Sequence, residues 1–386
     1  MDMGADHAYF MPANEHSPQN NRSIFLKVAH KSYLPTNKIL TDIIKRQSDF
    51  KVSLSITGTV LEQMEAWSPE TLHSFQQLIA TGNVEVLAET YYHSLAFFYS
   101  KAEFEKQVDM HAKKVQELFG VTPTVFRNTE LMYNNDIAYW ADKAGYKGII
   151  TEGWDKVLDW KSPNYVYRPA YTQNIRLLMK NYKLSDDIAF RFSNHDWAEW
   201  PLTAAKYAHW LHNLPQDDQI INLFMDYETF GEHQWQETGI FDFLTHFPIE
   251  FTRHHGGNFL TISEAIDTYE AKDFIDIPQT ITWADEDRDM TAWLGNTMQR
   301  QAIEMLYRYE DEVLATHNTE LIGDWRKLQA SDHFYYMCTK WLHDGDVHAY
   351  FSPYDSPYQA FISFMNAARD LKLRIDQYKS KGVKHG

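Results

Sequence analysis

TPTVFRNTELMYNNDIAYWADKAGYKGIITEG, residues 122–153, decides the fold. It begins with a short apolar, β-rich run, TVFRN (124–128), and closes on another, KGIIT (147–151). Between them NNDIAYWADKAGY has the periodicity of an amphipathic helix, with Asn134 or Asn135 suited to cap it. Strands joined through a helix run parallel, because a parallel pair needs a crossover too long for a hairpin.

The pattern extends in both directions. VSLSI (52–56), VEVLA (84–88), IRLLMK (175–180) and INLFMD (221–226) bring the expected strands to six. Helical stretches alternate with them: VLEQMEAW, PETLHSFQQLIATG with Pro69 near its start, and KAEFEKQVDMHAKKVQELFG ending on Gly120. Near-continuous apolar strands imply cover on both faces, as in a parallel α/β sheet or barrel. The first fifty residues read as loop and helix (SIFLKVAHKSY, NKILTDIIKR) with no clear strand. After about residue 262 helical periodicity takes over, as in RDMTAWLGNTMQRQAIEMLYRYEDEVLA and SPYQAFISFMNAARDLKLRIDQYK. The expected division is therefore a barrel over 1–262 and a helical domain over 263–386.

With 386 residues the chain has room for a large core, and at 44% hydrophobic and 23% charged its composition is that of a globular protein. A formal charge of −17 argues against nucleic-acid or anionic-membrane partners, which require basic surfaces. The basic KSKGVKH near the end reads as a solvated tail. Cys338 is the single cysteine, which excludes an internal disulfide and a thiolate metal cage and fits a reducing, cytoplasmic setting. No apolar run is long enough to span a bilayer, and no signal-peptide pattern is present. Aromatics reach 15% of the chain, suitable both as core filler and as platforms for sugar rings.

In parallel α/β folds ligands bind where the strands end. VEVLA leads to Glu89 and His93, TVFRN to Glu130, KGIIT to Glu152, and INLFMD to Asp226 and Glu228. Each of these acids alone could cap a helix or face water. Together with nearby aromatics they suit glycoside hydrolysis, which needs one protonated and one ionised carboxyl.

The segments GNVEVLAETYYHSL (82–95), 122–153, NLFMDYETFGEHQWQETGIFDFL (222–244), WADEDRDMTAWLGNTMQRQA (283–302) and SDHFYYM (331–337) resemble glycoside hydrolase family 57, closest to its α-amylase-type members. The resemblance runs in order over almost the whole chain. It implies a (β/α)7 barrel with a helical C-terminal domain, and a retaining mechanism on α-glucans or maltooligosaccharides with no cofactor or metal. It places the nucleophile on Glu130 and the general acid/base on Asp226. Substrate-binding roles fall on His93, Glu228, His233, Trp293 and Asp332. Under this reading Phe224, Tyr227 and Phe230 bury Asp226 and raise its pKa, and the two carboxyls lie about 5–5.5 Å apart, as retention requires. Arg127 either helps to keep Glu130 ionised or pairs elsewhere in the barrel.

Bland readings stand beside these. His93 could be a core histidine, Trp293 a core tryptophan, Glu228 a support for the acid, and Asp332 a helix cap. Glu232 and His233 could form a surface pair, and His254–His255 a loop. The chain departs from the family at its start, where MDMGADHAYFMPANEHSP stands without the His-Gln-Pro motif of the first strand. A late start, a truncation or a true loss of that strand would each leave the barrel one strand short and its activity reduced. The alternatives are a 4-α-glucanotransferase or branching enzyme, a metal-dependent polysaccharide deacetylase, and a glycan-binding relative without turnover. The deacetylase would require an Asp and two His, commonly spaced His-x-x-x-His, and that spacing does not occur. The oligomeric state is not legible.

Overall fold

The structure, a computed structural model, describes residues 20–253, 257–340 and 352–382. His254–His255 and the unusual amino-terminal stretch through Pro18 lie outside the described residues. The strands are β1 (Val52–Leu54), β2 (Val84–Val86), β3 (Val125–Arg127), β4 (Gly148–Glu152), β5 (Val166–Pro169), β6 (Arg176–Lys180) and β7 (Asp273–Ile275). β1 and β2 pair in parallel, and so do β3, β4 and β6 in that spatial order. Between the two groups the Ala88 N–H donates to the Val125 carbonyl and the Arg127 N–H to the Ala88 carbonyl, both at 2.8 Å. A continuous parallel wall results, with helices crossing between its strands. This is the architecture of an α/β barrel carrying a helical C-terminal region.

The local signals operate as the sequence implies. Asn134 caps the helix Asn135–Lys143 by accepting from the Ile137 N–H at 2.9 Å. Lys101–Phe119 starts on Ser100 and stops at Gly120, whose φ of 71° is the left-handed conformation glycine adopts without strain. Ile149, Leu177, Met179, Phe126 and Tyr167 have no exposed surface and form the core between strands and helices.

Two expectations need correction. INLFMD joins no ladder. Its Asn222 carbonyl accepts from Asn181, and the Phe224 N–H donates to the Ser185 hydroxyl at 3.2 Å, so a side chain stands where a neighbouring strand would. Meanwhile β5, antiparallel to β6, and β7, parallel to β5, extend the sheet. Pro169 in β5 and the half-exposed Phe274 in the edge strand β7 give these two strands little of the apolar pattern by which the others are read. β7 also carries the sheet past residue 262.

The helical region has its own core around Trp293, Trp325, Phe334 and Phe364. It is tied to the barrel by Arg326, whose guanidinium donates to both oxygens of Glu103, at 2.8 and 3.0 Å. The Glu103 side chain is only 1% exposed. Removing one partner of such a pair strands a buried charge, so Arg326→Met should cost about 3–5 kcal/mol in denaturant unfolding. A loss below about 1 kcal/mol would show the pair to behave as a surface contact. Among the described residues no helix is long and apolar enough to cross a membrane.

Candidate functional site

β3 ends at Arg127, and the chain then turns sharply through Thr129–Leu131. Glu130 sits at φ 56° and Leu131 at φ 52°. Left-handed backbone at non-glycine residues costs on the order of 1 kcal/mol or more and persists only where the surroundings impose it. Here the Asn128 amide holds the Met132 carbonyl at 3.1 Å and the Thr151 hydroxyl holds that of Leu131 at 2.9 Å. The turn sets the Glu130 carboxylate among fixed donors. Oε1 lies 3.0 Å from His93 Nε2 and accepts from the Ser331 hydroxyl at 3.2 Å, while Oε2 accepts from the Trp283 indole at 2.8 Å. Burial would raise its pKa, but His93, Trp283 and Arg127 together outweigh burial and bring it down to about 2. Glu130 is a carboxylate at any ordinary pH.

His93 comes from the turn after β2 and also has a left-handed backbone, φ 52°. Its Nδ1 lies 3.5 Å from Glu89, which is fully buried and also receives the Ser55 hydroxyl at 2.6 Å. Burial would lower the His93 pKa, yet the bonds to Glu130 and Glu89 push it up to about 10. Glu89 is itself held near 2 against its burial, by His93 and by Arg127 at 3.8 Å. An imidazolium thus stands between two carboxylates. Both readings of Arg127 hold, since it pairs with Glu89 and also favours the charged form of Glu130. His93 is neither a plain core histidine nor simply a sugar contact; it is the cationic partner of Glu130.

A second set of acids lies on the 226–235 loop. Asp226 is exposed, so the expected burial among aromatics is not observed. Tyr227 instead turns away to donate to the Asn37 side chain, packing on Tyr33 and Phe75 with ring centroids 6.0 and 5.6 Å away. The carboxyl raised by burial, and further by the charge of Asp226, is Glu228, which accepts from the Tyr33 hydroxyl. His233 lies near enough to oppose that rise. Glu232 pairs with Lys27 at 2.6 Å and Lys31 at 3.0 Å rather than with His233. The loop lies flush on the helical segments Asn21–Val28 and Ala29–Tyr33 that carry these lysines: at Gly231, φ 109°, a Cβ would stand 2.0 Å from the Lys31 carbonyl.

Asp332 connects the two sets of acids. It lies in the first turn of the helix Ser331–Tyr335, and its side chain is accessible to water while protein surrounds its carboxyl. Its pKa is raised, first by that enclosure; the charge of His93 opposes the rise, and Glu130 and Asp226 add to it. Electrostatically it faces both acids at once. Trp293, by contrast, is 1% exposed in the helical core, 5.6 Å from Tyr335, and offers no face to a sugar.

Sequence reasoning underweighted Glu89, Trp283, Ser331 and Tyr33. Glu89 was visible as a strand-end carboxylate four residues before His93. Trp283 and Ser331 open two of the segments that carry the family resemblance, whereas Tyr33, in the helical SIFLKVAHKSY, gives no local signal; long-range folding brings all three in. Among the described residues no group of three or more His, Cys, Asp or Glu side chains is placed to hold a metal ion.

The profile of Glycosyl hydrolase family 57 matches residues 13–278. A protein of Methanocaldococcus jannaschii, named provisionally as an alpha-amylase, is 44% identical over 372 residues, which cover 94% of this chain and 79% of that one. The solved branching enzyme of Pyrococcus horikoshii has a TM-score of 0.71 at 15% identity, covering 96% of this chain and 90% of its own. The 4-alpha-glucanotransferase of Thermococcus litoralis has a TM-score of 0.63 at 18% identity over 82% of this chain, which spans 53% of the enzyme's length. At such identities the solved structures show the fold alone.

Proposed function

Because this chain belongs to glycosyl hydrolase family 57, we propose that it cleaves the α-1,4 linkages of α-glucans with retention of configuration. The observation that carries this reading is Glu130, an ionised carboxylate pinned by His93, Ser331 and Trp283 and facing the acids of the 226–235 loop through Asp332. Glu130 attacks the anomeric carbon, and the electron pair of the broken bond goes to the glycosidic oxygen, which takes a proton from Asp226. Asp226 then removes a proton from water, and the water oxygen displaces Glu130 to free the sugar. Glu228, His233, His93 and Asp332 hold the substrate or the acids around it. A cytoplasmic site of action belongs to the same proposal, supported by the lone buried thiol of Cys338.

The test is the configuration of the first product from a maltooligosaccharide, followed by proton NMR before mutarotation. The α-anomer is expected; the β-anomer would overturn the mechanism. Transfer to a second sugar uses the same covalent glycosyl-enzyme, so it would appear as products longer than the substrate and leave the mechanism standing.

A further inference from the structure

We infer that Trp283 is a positioning residue that presents Oε2 of Glu130 as the attacking oxygen. The inference rests on the reading of Glu130 as the nucleophile. A carboxylate oxygen has two lone-pair sites. Oε1 is occupied by His93 and Ser331, whereas Oε2 takes the Trp283 indole N–H at 2.8 Å and keeps a lone pair for the anomeric carbon. As that pair forms the new C–O bond, the carboxylate charge passes to the departing oxygen. The indole fixes the plane of the carboxylate before attack without covering the second lone pair.

The surroundings of Trp283 are built for this task. Arg127 lies 5.3 Å and Lys180 5.2 Å from its ring centroid. Cations beside an indole are attracted by its π-face and draw electron density from it, which strengthens the N–H as a donor. The loop beyond is pinned. Lys340 binds Asp285 at 3.1 Å and Asp287 at 2.6 Å, the Thr282 N–H donates to the Arg288 carbonyl at 2.9 Å, and Asp285 and Arg288 have φ of 51° and 46°. Such a clasp has a use if the ring it anchors must not drift.

Trp283→Phe keeps a ring beside Arg127 and Lys180 and removes the N–H. A hydrogen bond to a charged group is worth about 1.5–3 kcal/mol, so kcat on maltoheptaose should fall about 10- to 100-fold with KM little changed. The acid limb of the pH–kcat/KM profile should also move upward, since one of the groups keeping Glu130 ionised is gone. The other groups facing Glu130 stay in place: His93 backed by Glu89, Arg127 from β3, and Ser331, Asp332 and Tyr335 from the 331–335 helix. A purely structural tryptophan would leave the acid limb where it is. Lys340→Met, which leaves Trp283 itself intact, should move rate and limb the same way by less. An unmoved limb in Trp283→Phe, or in Lys340→Met if the first variant does not fold, overturns the inference. Glu130→Gln run alongside separates the two levels: if it is inactive while Trp283→Phe matches the parent, only the positioning role falls.

Discussion

Glu130→Gln is expected to lower kcat on maltooligosaccharides by on the order of 10⁴-fold or more while the protein stays folded. The amide fills the same space but has no anionic lone pair to attack with. It also removes the charge that, with Glu89, holds the His93 pKa near 10, so His93 should titrate closer to the neutral range in the variant. Glu130→Ala adds a chemical check. Azide admitted into the vacated space attacks the anomeric carbon from the same side and takes the place of the carboxylate, giving a glycosyl azide of inverted configuration. Full activity in Glu130→Gln would remove the assignment altogether.

The next largest effect concerns the proton donor. Asp226→Asn is expected to cost about 10²–10⁴-fold on natural glucans, the usual share of a general acid/base. The same variant should lose far less on an aryl glucoside whose leaving group departs without a proton. Glu228 complicates the picture. Its own pKa is raised, by burial and by the charge of Asp226, while the Tyr33 hydroxyl opposes the rise. Its expected role is to shape the field at Asp226, so Glu228→Gln should cost about tenfold, below the share of an acid–base group, with no dependence on the leaving group. If Glu228→Gln shows the leaving-group dependence and Asp226→Asn does not, the proton donor is Glu228.

Much of this architecture can be read from short windows of chain. Apolar runs broken by capped helices announce a parallel wall, and Asn134, Ser100 and Gly120 stop and start helices where the rules place them. Strand ends rich in acid give Glu89, Glu130 and Asp226 before any coordinates. The reading fails where the signal is not local. INLFMD has the composition of a strand, but its neighbour offers the Ser185 hydroxyl instead of a ladder partner. The same window suggests that rings surround Asp226; in the fold Tyr227 packs on Tyr33 and Phe75, and Glu228 receives the burial. Trp293 carries a family motif yet lies in the helical core.

The sequence by itself determined the class of fold, the family and the carboxylates to which catalysis is proposed to fall, because periodicity, caps and strand-end chemistry are properties of neighbouring residues. Only the tertiary structure decided what each carboxylate experiences. The pKa of Glu130 depends on His93 and Trp283, which stand 37 and 153 residues away in the chain. Burial, hydrogen bonding and the field of other charges act over ångströms in space, and nothing in a linear window records which distant side chains will arrive within that range.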